Sequence, residues 1–279
     1  MSSAESFIEK KPTITVLLSV YNAENYVGIA IESILKQTFS DFELIAVDDC
    51  STDKSWDIVQ QYMKLDSRVI AKRNEVNLGG CKTLNVGLKL AKGKYIARLD
   101  NDDWSYPYRL EKQLGFLETH PDVGIVGGVM EIMNQHGEVI GQRKYNISDQ
   151  EIRNKIFRYS PFSHPLVMIR KSILDKVGYY DPAYAPADDY ELYFRIGNES
   201  QFANLPDVIM RYRVIPSSIT FMQTKKMEFA TINVRNQFSK NPNYNFTLVD
   251  KIYNALQYLS IYILPSRLKI YLFNLLRNN

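Results

Sequence analysis

The sequence predicts an α/β protein built around an open, mostly parallel central sheet flanked by helices, and three observations lead there. Between Ile14 and Leu99, β-branched apolar runs alternate with stretches whose apolar residues recur at helical spacing, the pattern of consecutive βαβ units. The runs are too uniformly apolar for strands with one wet face, so both faces must be covered, as helices cover a parallel sheet. Three of them end in polar residues, Ser19-Val20-Tyr21-Asn22, Asp48-Asp49 and Asp100 to Asp103, and ligands bind at the carboxyl edge of such a sheet.

Taken in order, Ile14 to Val20 follows Pro12 and reads as the first strand. Tyr26 to Gln37 sets Val27, Ala30, Ile31, Ile34 and Leu35 on one helical face, and Phe42 to Val47 resumes a strand that runs into Asp48-Asp49, completing one βαβ unit. Trp56 to Leu65 reads as a helix, Val69-Ile70-Ala71 as a short strand, Gly80 to Ala91 as a helix opened by glycines, and Tyr95 to Leu99 as the strand that delivers the acids. After Leu117 the pattern changes: Val123 to Met133 reads as a strand, Ser148 to Phe157 as a polar helix, Leu166 to Ile169 as a strand and Tyr190 to Ile196 as a helix with acids at its start. Lys251 to Leu276 is rich in Tyr, Leu and Ile, interrupted by Pro265 and interspersed with Arg267, Lys269 and Arg277, like a pair of amphipathic helices. Such a pair suits packing on the domain or on a twin subunit, and basic residues beside tyrosines and leucines also suit a membrane surface.

With 279 residues the chain can bury a substantial core as one large domain or two small ones. Its formal charge of +3 arises from nearly balanced acids and bases, which argues against nucleic acid as a partner. Cys50 and Cys81 have neither metal-ligand spacing nor a secreted disulfide framework, and read as buried small hydrophobes in a reducing compartment, the cytoplasm. Residues 1–11 are polar, lack the apolar core of a secretory signal and read as a flexible tail. No stretch reaches the roughly 18 to 20 apolar residues that span a bilayer.

The most informative segment is Asp100-Asn101-Asp102-Asp103. Carboxylates this crowded repel one another, so a fold that gathers them supplies a cation, a cationic ligand group or water. Hard carboxylate oxygens suit Mg2+ or Mn2+, which keep open positions for phosphate oxygens, so a nucleotide diphosphate is the natural partner.

These residues line up with a family. Leu18 to Asn22, Ser33 to Leu44, Val47 to Asp53, Asn77-Leu78-Gly79, Asn85-Val86-Gly87, Ala91 to Ile96, the D-x-D-D cluster and Ala187 to Arg195 resemble, in the same order, a family 2 glycosyltransferase with the GT-A fold, from about Pro12 to Thr220. The resemblance implies inverting transfer of a sugar from a nucleotide diphosphate sugar, a UDP-sugar by preference, to an acceptor hydroxyl. The acceptor would be a glycan, or a lipid-linked one, in cell-surface polysaccharide synthesis, at the inner face of the membrane. Residues 12–222 would form the catalytic domain, 12–110 binding the nucleotide and 111–222 the acceptor, with 223–279 an amphipathic helical extension.

By position in the motifs, Asp102 would bind the metal directly and Asp100 metal or ribose, with Asn101 beside them and Asp103 acting through water or a bond to a neighbour. Asp49 would accept from the nucleoside, Ser19, Tyr21 and Asn22 would hold the base, with Tyr21 stacking on it, and Lys82 or Arg73 would approach base or diphosphate. Asp189 is the expected base that takes the acceptor's proton, with Asp188 the competing choice. Where relatives carry a histidine in a Y-R-x-H-like pattern, this chain has Tyr212-Arg213-Val214-Ile215, so Arg211 or Arg213 is expected to neutralise the diphosphate. His164 would line the acceptor side or serve as a packed or capping residue, and Trp104 and Tyr106 would stack on a sugar ring or simply anchor the loop. The alternatives are a sugar-phosphate nucleotidyltransferase, which would need a glycine-rich basic loop where Tyr21 to Asn25 stands, and a degenerate nucleotide-sugar binding protein. A dehydrogenase is disfavoured because no G-x-G-x-x-G follows the first strand.

Overall fold

A computed structural model describes residues 11–215 and 224–264. The tail up to residue 10, the Ser217-Ser218 segment, Pro265 and the basic residues beyond it lie outside the described residues. Strands β1 (Ile14–Val20), β2 (Phe42–Asp48), β3 (Val69–Arg73) and β4 (Tyr95–Asp100) pair in the order β3-β2-β1-β4, all parallel. The sheet continues beyond β4 through β8 (Met168–Arg170), β6 (Val123–Met133), β9 (Gln201–Arg213) and β5 (Trp104–Ser105), with β7 (Val139–Arg143) paired to β6. β8 is antiparallel to both β4 and β6, and β9 is parallel to β6.

The register aligns the polar strand ends. Ser19 of β1 lies opposite Asp100 of β4, Val20 opposite Asp48 of β2, and Asp48 opposite Arg73 of β3. Alternation along each strand then builds two cores. Val16, Leu18, Leu44, Ala46, Ala97 and Leu99 face helices α1 (Val27–Leu35), α2 (Ser55–Leu65) and α4 (Arg109–Thr119). Leu17, Ile45, Val47 and Ile96 face α3 (Gly80–Leu90), with α6 (Lys171–Val177), α7 (Asp188–Glu199) and α8 (Thr224–Phe238) completing that layer.

The βαβ units of the first hundred or so positions fall where the sequence places them, within the usual scatter of element ends. Others differ. The polar helix expected from Ser148 to Phe157 is α5 (Asp149–Arg153), capped by Ser148 and Glu151 in a reciprocal box and followed by turns over 154–158. Leu166 belongs to a short 3₁₀ turn before β8. Of the helical pair expected from Lys251 to Leu276, the first member is α9 (Leu248–Ile263), which meets α8 through aromatic contacts such as Phe229 on Tyr258 and Tyr262, and the second lies outside the described residues.

Two glycines test the packing from opposite directions. A Cβ on Gly93, just before β4, would stand 2.4 Å from the Thr15 backbone nitrogen, so any side chain there drives β1 and the approach to β4 apart. Gly115, exposed within α4, has nothing within 4 Å of such an atom. Gly93→Ala is expected to cost about 1–3 kcal/mol, whereas Gly115→Ala stabilises by about 0.5–1 kcal/mol. Urea unfolding midpoints measured on the two variants check the contrast.

Candidate active site

β4 carries an arginine inside an apolar run, and that residue organises the ligand edge. The Arg98 guanidinium is 2% exposed and donates to the carbonyls of Leu17 at 2.9 Å and Leu99 at 2.7 Å, and to Asp100 Oδ1 at 2.5 Å. Arg109 of α4 is wholly buried and donates to the Arg98 carbonyl at 2.6 Å, to Ser105 Oγ at 2.9 Å and to Gln113 Oε1 at 3.1 Å. Burial lowers the Arg109 guanidinium to about 9, with Asp103 pulling the other way. Two buried cations therefore underlie the acid loop, and each is tied to acceptors, as a charge in a dry interior must be.

The acids divide. Asp103 points inward, fully buried, with Oδ1 accepting from the Arg213 backbone N–H at 2.8 Å and Oδ2 without a partner. Burial, then Asp102 and Asp100, hold its carboxyl well above the ordinary range. Asp102 is half-buried and pushed up to about 7 by burial and by the neighbouring Asp100. Asp100 keeps its ion pair with Arg98. Asn101 donates to the Ser19 carbonyl at 3.2 Å, which ties the loop to β1. Among the described residues no three His, Cys, Asp or Glu side chains converge into a ready-made metal site. The raised Asp102 and the orphaned Asp103 oxygen nonetheless mark a carboxylate cluster short of positive charge, and hard oxygens from Asp100 and Asp102 fit Mg2+ or Mn2+ completed by other oxygens.

At the neighbouring strand ends the structure is a set of interlocked turns. Asn22 adopts φ 47°, a region Asn tolerates, and its Oδ1 accepts from the Thr52 N–H at 2.9 Å. Tyr21 is 48% exposed, an unsupported ring at the end of β1, and Ser19 is half-buried. Asp48 is buried, accepts from the Ser51 N–H and pairs with Arg73 at 3.2 Å. Arg73 is thereby engaged with Asp48 and the Ser51 carbonyl. Asp49 accepts from the N–H groups of Leu78 and Gly79 and from Asn74 Nδ2, each at 2.8 Å. Burial pushes its carboxyl up, but these bonds and one from Thr83 outweigh it and hold the group below the ordinary value. Asp49 thus clamps the 74–79 loop ahead of α3, and only part of its acceptor capacity is left for a ligand. Lys82 is exposed on the first turn of α3.

Across the cleft, Asp188 and Asp189 open α7. Asp189 is half-buried, accepts from the Tyr190 N–H at 2.7 Å, and is raised to about 7 by burial and by Asp188, with Asp100 adding to the effect. Asp188 is also raised, by burial, and accepts from the Cys81 thiol, whose own ionisation burial and Asp188 push up to about 12. Cys50 and Cys81 are free and half-buried, less enclosed than the sequence suggested.

His164 bridges the two sides. Its Nε2 is hydrogen-bonded to the Tyr180 hydroxyl at 2.7 Å and accepts from Arg98 Nε at 3.4 Å. Burial and the Arg98 charge depress its pKa well below the usual histidine value, so the ring is neutral. The Asn85 side-chain amide donates to the Tyr180 carbonyl at 2.7 Å and accepts from the Tyr180 N–H at 3.1 Å, and so fastens α3 to the loop leading into α7. Trp104 packs edge-on to Tyr106 at 4.7 Å, with the Arg211 guanidinium 5.0 Å from its ring centre.

The sequence expects Arg213 or Arg211 to neutralise the diphosphate where relatives carry a histidine. Arg213 is 6% exposed, and its side chain donates to the carbonyls of Asp102, Asn134 and Gln135, which ties it beneath the acid loop with its positive charge acting on Asp102. Arg211 is likewise paired, with Glu131 at 2.9 Å. Sequence reasoning passed over Arg98, Arg109 and Tyr180. For Arg98 a signal existed: an arginine amid Tyr95-Ile96-Ala97 and Leu99 needs a buried anion.

Comparison with known proteins identifies the family and the fold. The description of glycosyl transferase family 2 matches residues 15–178. The O-antigen biosynthesis glycosyltransferase WbnJ of Escherichia coli is 34% identical, covering 84% of this chain and 92% of its own length. Among solved structures, Staphylococcus aureus TarS 1–349 in complex with UDP superposes with a TM-score of 0.64 at 22% identity, over 89% of this chain and 71% of that one. The mannosyltransferase PcManGT of Pyrobaculum calidifontis, in complex with GDP-Man and Mn2+, gives a TM-score of 0.66 at 17% identity, over 97% of this chain and 82% of that one. A match across more than half of the sequence, on a sheet whose carboxyl edge gathers the acids, makes this chain a member of glycosyl transferase family 2 with the GT-A fold.

Proposed function

We propose that the chain moves a sugar from a UDP-sugar to an acceptor hydroxyl of a cell-surface glycan or its lipid-linked precursor, with inversion at the anomeric carbon. The observation that carries this reading is that two acid groups are linked at one edge of the sheet. Asp100 and Asp102 sit at the end of β4 and Asp189 at the start of α7, and Arg98, paired with Asp100, contacts His164, which is bonded to Tyr180 on the approach to α7. The TarS complex holds UDP and the PcManGT complex holds GDP-Man and Mn2+, while WbnJ is named for O-antigen biosynthesis. These names favour a nucleotide-sugar donor and a polysaccharide product.

In this reading Tyr21 stacks on the base, Ser19, Asn22 and the spare acceptor capacity of Asp49 meet the nucleoside, and Asn101 and Lys82 flank the diphosphate. Asp102 and Asp100 would hold Mg2+ or Mn2+, which supplies positive charge against the diphosphate as it leaves. Asp189 accepts the proton of the acceptor hydroxyl while that oxygen bonds to the anomeric carbon. The bond from that carbon to the diphosphate breaks on the opposite face, releasing the nucleotide. A base poised near neutrality suits this step, with Asp188 as its charged neighbour. Neutral His164 and Trp104 line the sugar and acceptor side.

Calorimetry with UDP in the presence of Mn2+, followed by a donor panel, tests the proposal. Binding of UDP, with loss of transfer on chelation, is the expected result; binding without turnover of any donor would make the chain a nucleotide-sugar binding protein instead. Asp102→Asn is expected to lower transfer by about 10²-fold or more at saturating Mn2+, measured as released UDP.

The Asp189 shift gives a pH signature with a definite sign. Its ionised form is the active base, so kcat/KM rises with pH and levels off above about 7. Asp188→Asn removes the nearest like charge and moves that rise to lower pH, whereas Asp189→Asn abolishes it together with most of the activity. Because the folded-state value lies above the ordinary one, the native protein holds the proton more tightly, and this group's contribution to ligand-free stability falls as pH rises from about 4 to about 7. A pH–rate profile on parent and variants decides the assignment.

A further inference from the structure

Helix α9 is amphipathic in the reverse sense. Its inward side is largely polar: Asp250 pairs with Arg158 at 2.8 Å, Asn254 donates to the Phe157 carbonyl and accepts from Arg235, and Gln257 accepts from Arg235 at 2.7 Å. Ile261 is the apolar residue among its buried positions. On the outward side, Leu248, Val249, Ile252, Leu256, Leu259 and Ile263 are 53% to 73% exposed. At about 100° per residue these six share one arc of roughly 100°. A helix whose outer face meets water carries the opposite arrangement, and a contiguous apolar patch of this kind marks an interaction surface.

The surroundings of the arc identify what covers it. Tyr258 and Tyr262 flank it where they meet Phe229 of α8. Lys225 and Lys226, one turn before Phe229, are exposed, as is Lys251 on α9 itself. From Lys251 to the end of the sequence the charged residues are Lys251, Arg267, Lys269 and Arg277, all basic. Leucines and isoleucines for acyl chains, tyrosines for the headgroup level and lysines for anionic headgroups are the components of an interfacial helix. Among the described residues no helix is long and apolar enough to cross a membrane, and sixteen residues reach only about 24 Å, so α9 can lie on a bilayer but not span it.

We propose that the outer face of α9, with the first turn of α8, docks flat on an anionic bilayer surface. This rests on the inverted helix and its lysines, and stands or falls independently of the donor assignment.

The test mixes the full chain with sedimentable vesicles of phosphatidylcholine alone or of equal parts phosphatidylcholine and phosphatidylglycerol. The expected result is sedimentation with the anionic vesicles, weakened by salt. Leu256→Glu/Leu259→Glu should cut that partition by at least about tenfold. Lys225→Ala/Lys226→Ala should cut it several-fold and reduce its salt dependence. All four side chains are exposed, so an unchanged melting temperature separates loss of docking from loss of fold. The proposal is overturned if the parent protein stays in solution with anionic vesicles, or if the double glutamate variant sediments as the parent does. It is equally overturned if the parent is a dimer that this variant makes monomeric, which would assign the face to self-association.

Discussion

The acid edge of this protein stands on a buried guanidinium paired with a carboxylate that reaches the surface. Arg98 enters the sheet from β4, pairs with Asp100 and binds two backbone carbonyls, while Arg109 grips the Arg98 carbonyl. Losing Asp100 would leave the Arg98 charge in a dry interior with only carbonyls to hold it. The loop bearing Asp100, Asp102 and Asp103 is therefore held by electrostatics as much as by its own backbone. Burial, with the same guanidinium adding to it, keeps His164 neutral, and His164 in turn reaches Tyr180 and the approach to α7. One cation thus touches both the acid loop after β4 and the ring of His164.

How much of this the sequence reveals depends on what each element buries. β1, β2, β4 and β6 are legible because strands covered on both faces must be apolar throughout. Helix α4 is not, because its buried side is Arg109, Leu110, Gln113 and Leu117, half polar in service of the ion pair. β9 is thirteen residues long, but Pro206, Asp207 and Arg211 interrupt its apolar pattern. Its partners β6 and β5 hold it in place, and those pairings join residues far apart in the chain. α9 shows a 3.6-residue pattern plainly enough, yet the pattern cannot say which face turns inward. Arg158 and Arg235 decide that, by drawing its polar residues in.

The D-x-D-D run after β4 is visible in the sequence, and Asp49 and Asp189 were picked out by resemblance to the family; which carboxylate turns inward was not visible in either. Asp103 and Asp102 are neighbours in sequence, and a single backbone N–H from Arg213 turns one inward while the other stays at the cleft. Arg213 itself resembles a ligand-binding residue by position and serves as a strut because the carbonyls of Asp102, Asn134 and Gln135 surround it. Such roles depend on who folds next to whom, which composition and local periodicity do not encode.

The three donors gathered by Asp49 bear on recognition as well as on folding. A loop fixed from Asn74 to Gly79 by one carboxylate has already given up its conformational freedom before any ligand arrives. A nucleoside bound there, as proposed, would meet a wall already ordered by these bonds and reach the bound state without a further ordering cost on that side, so its recognition would rest on shape and hydrogen-bond geometry rather than on induced fit.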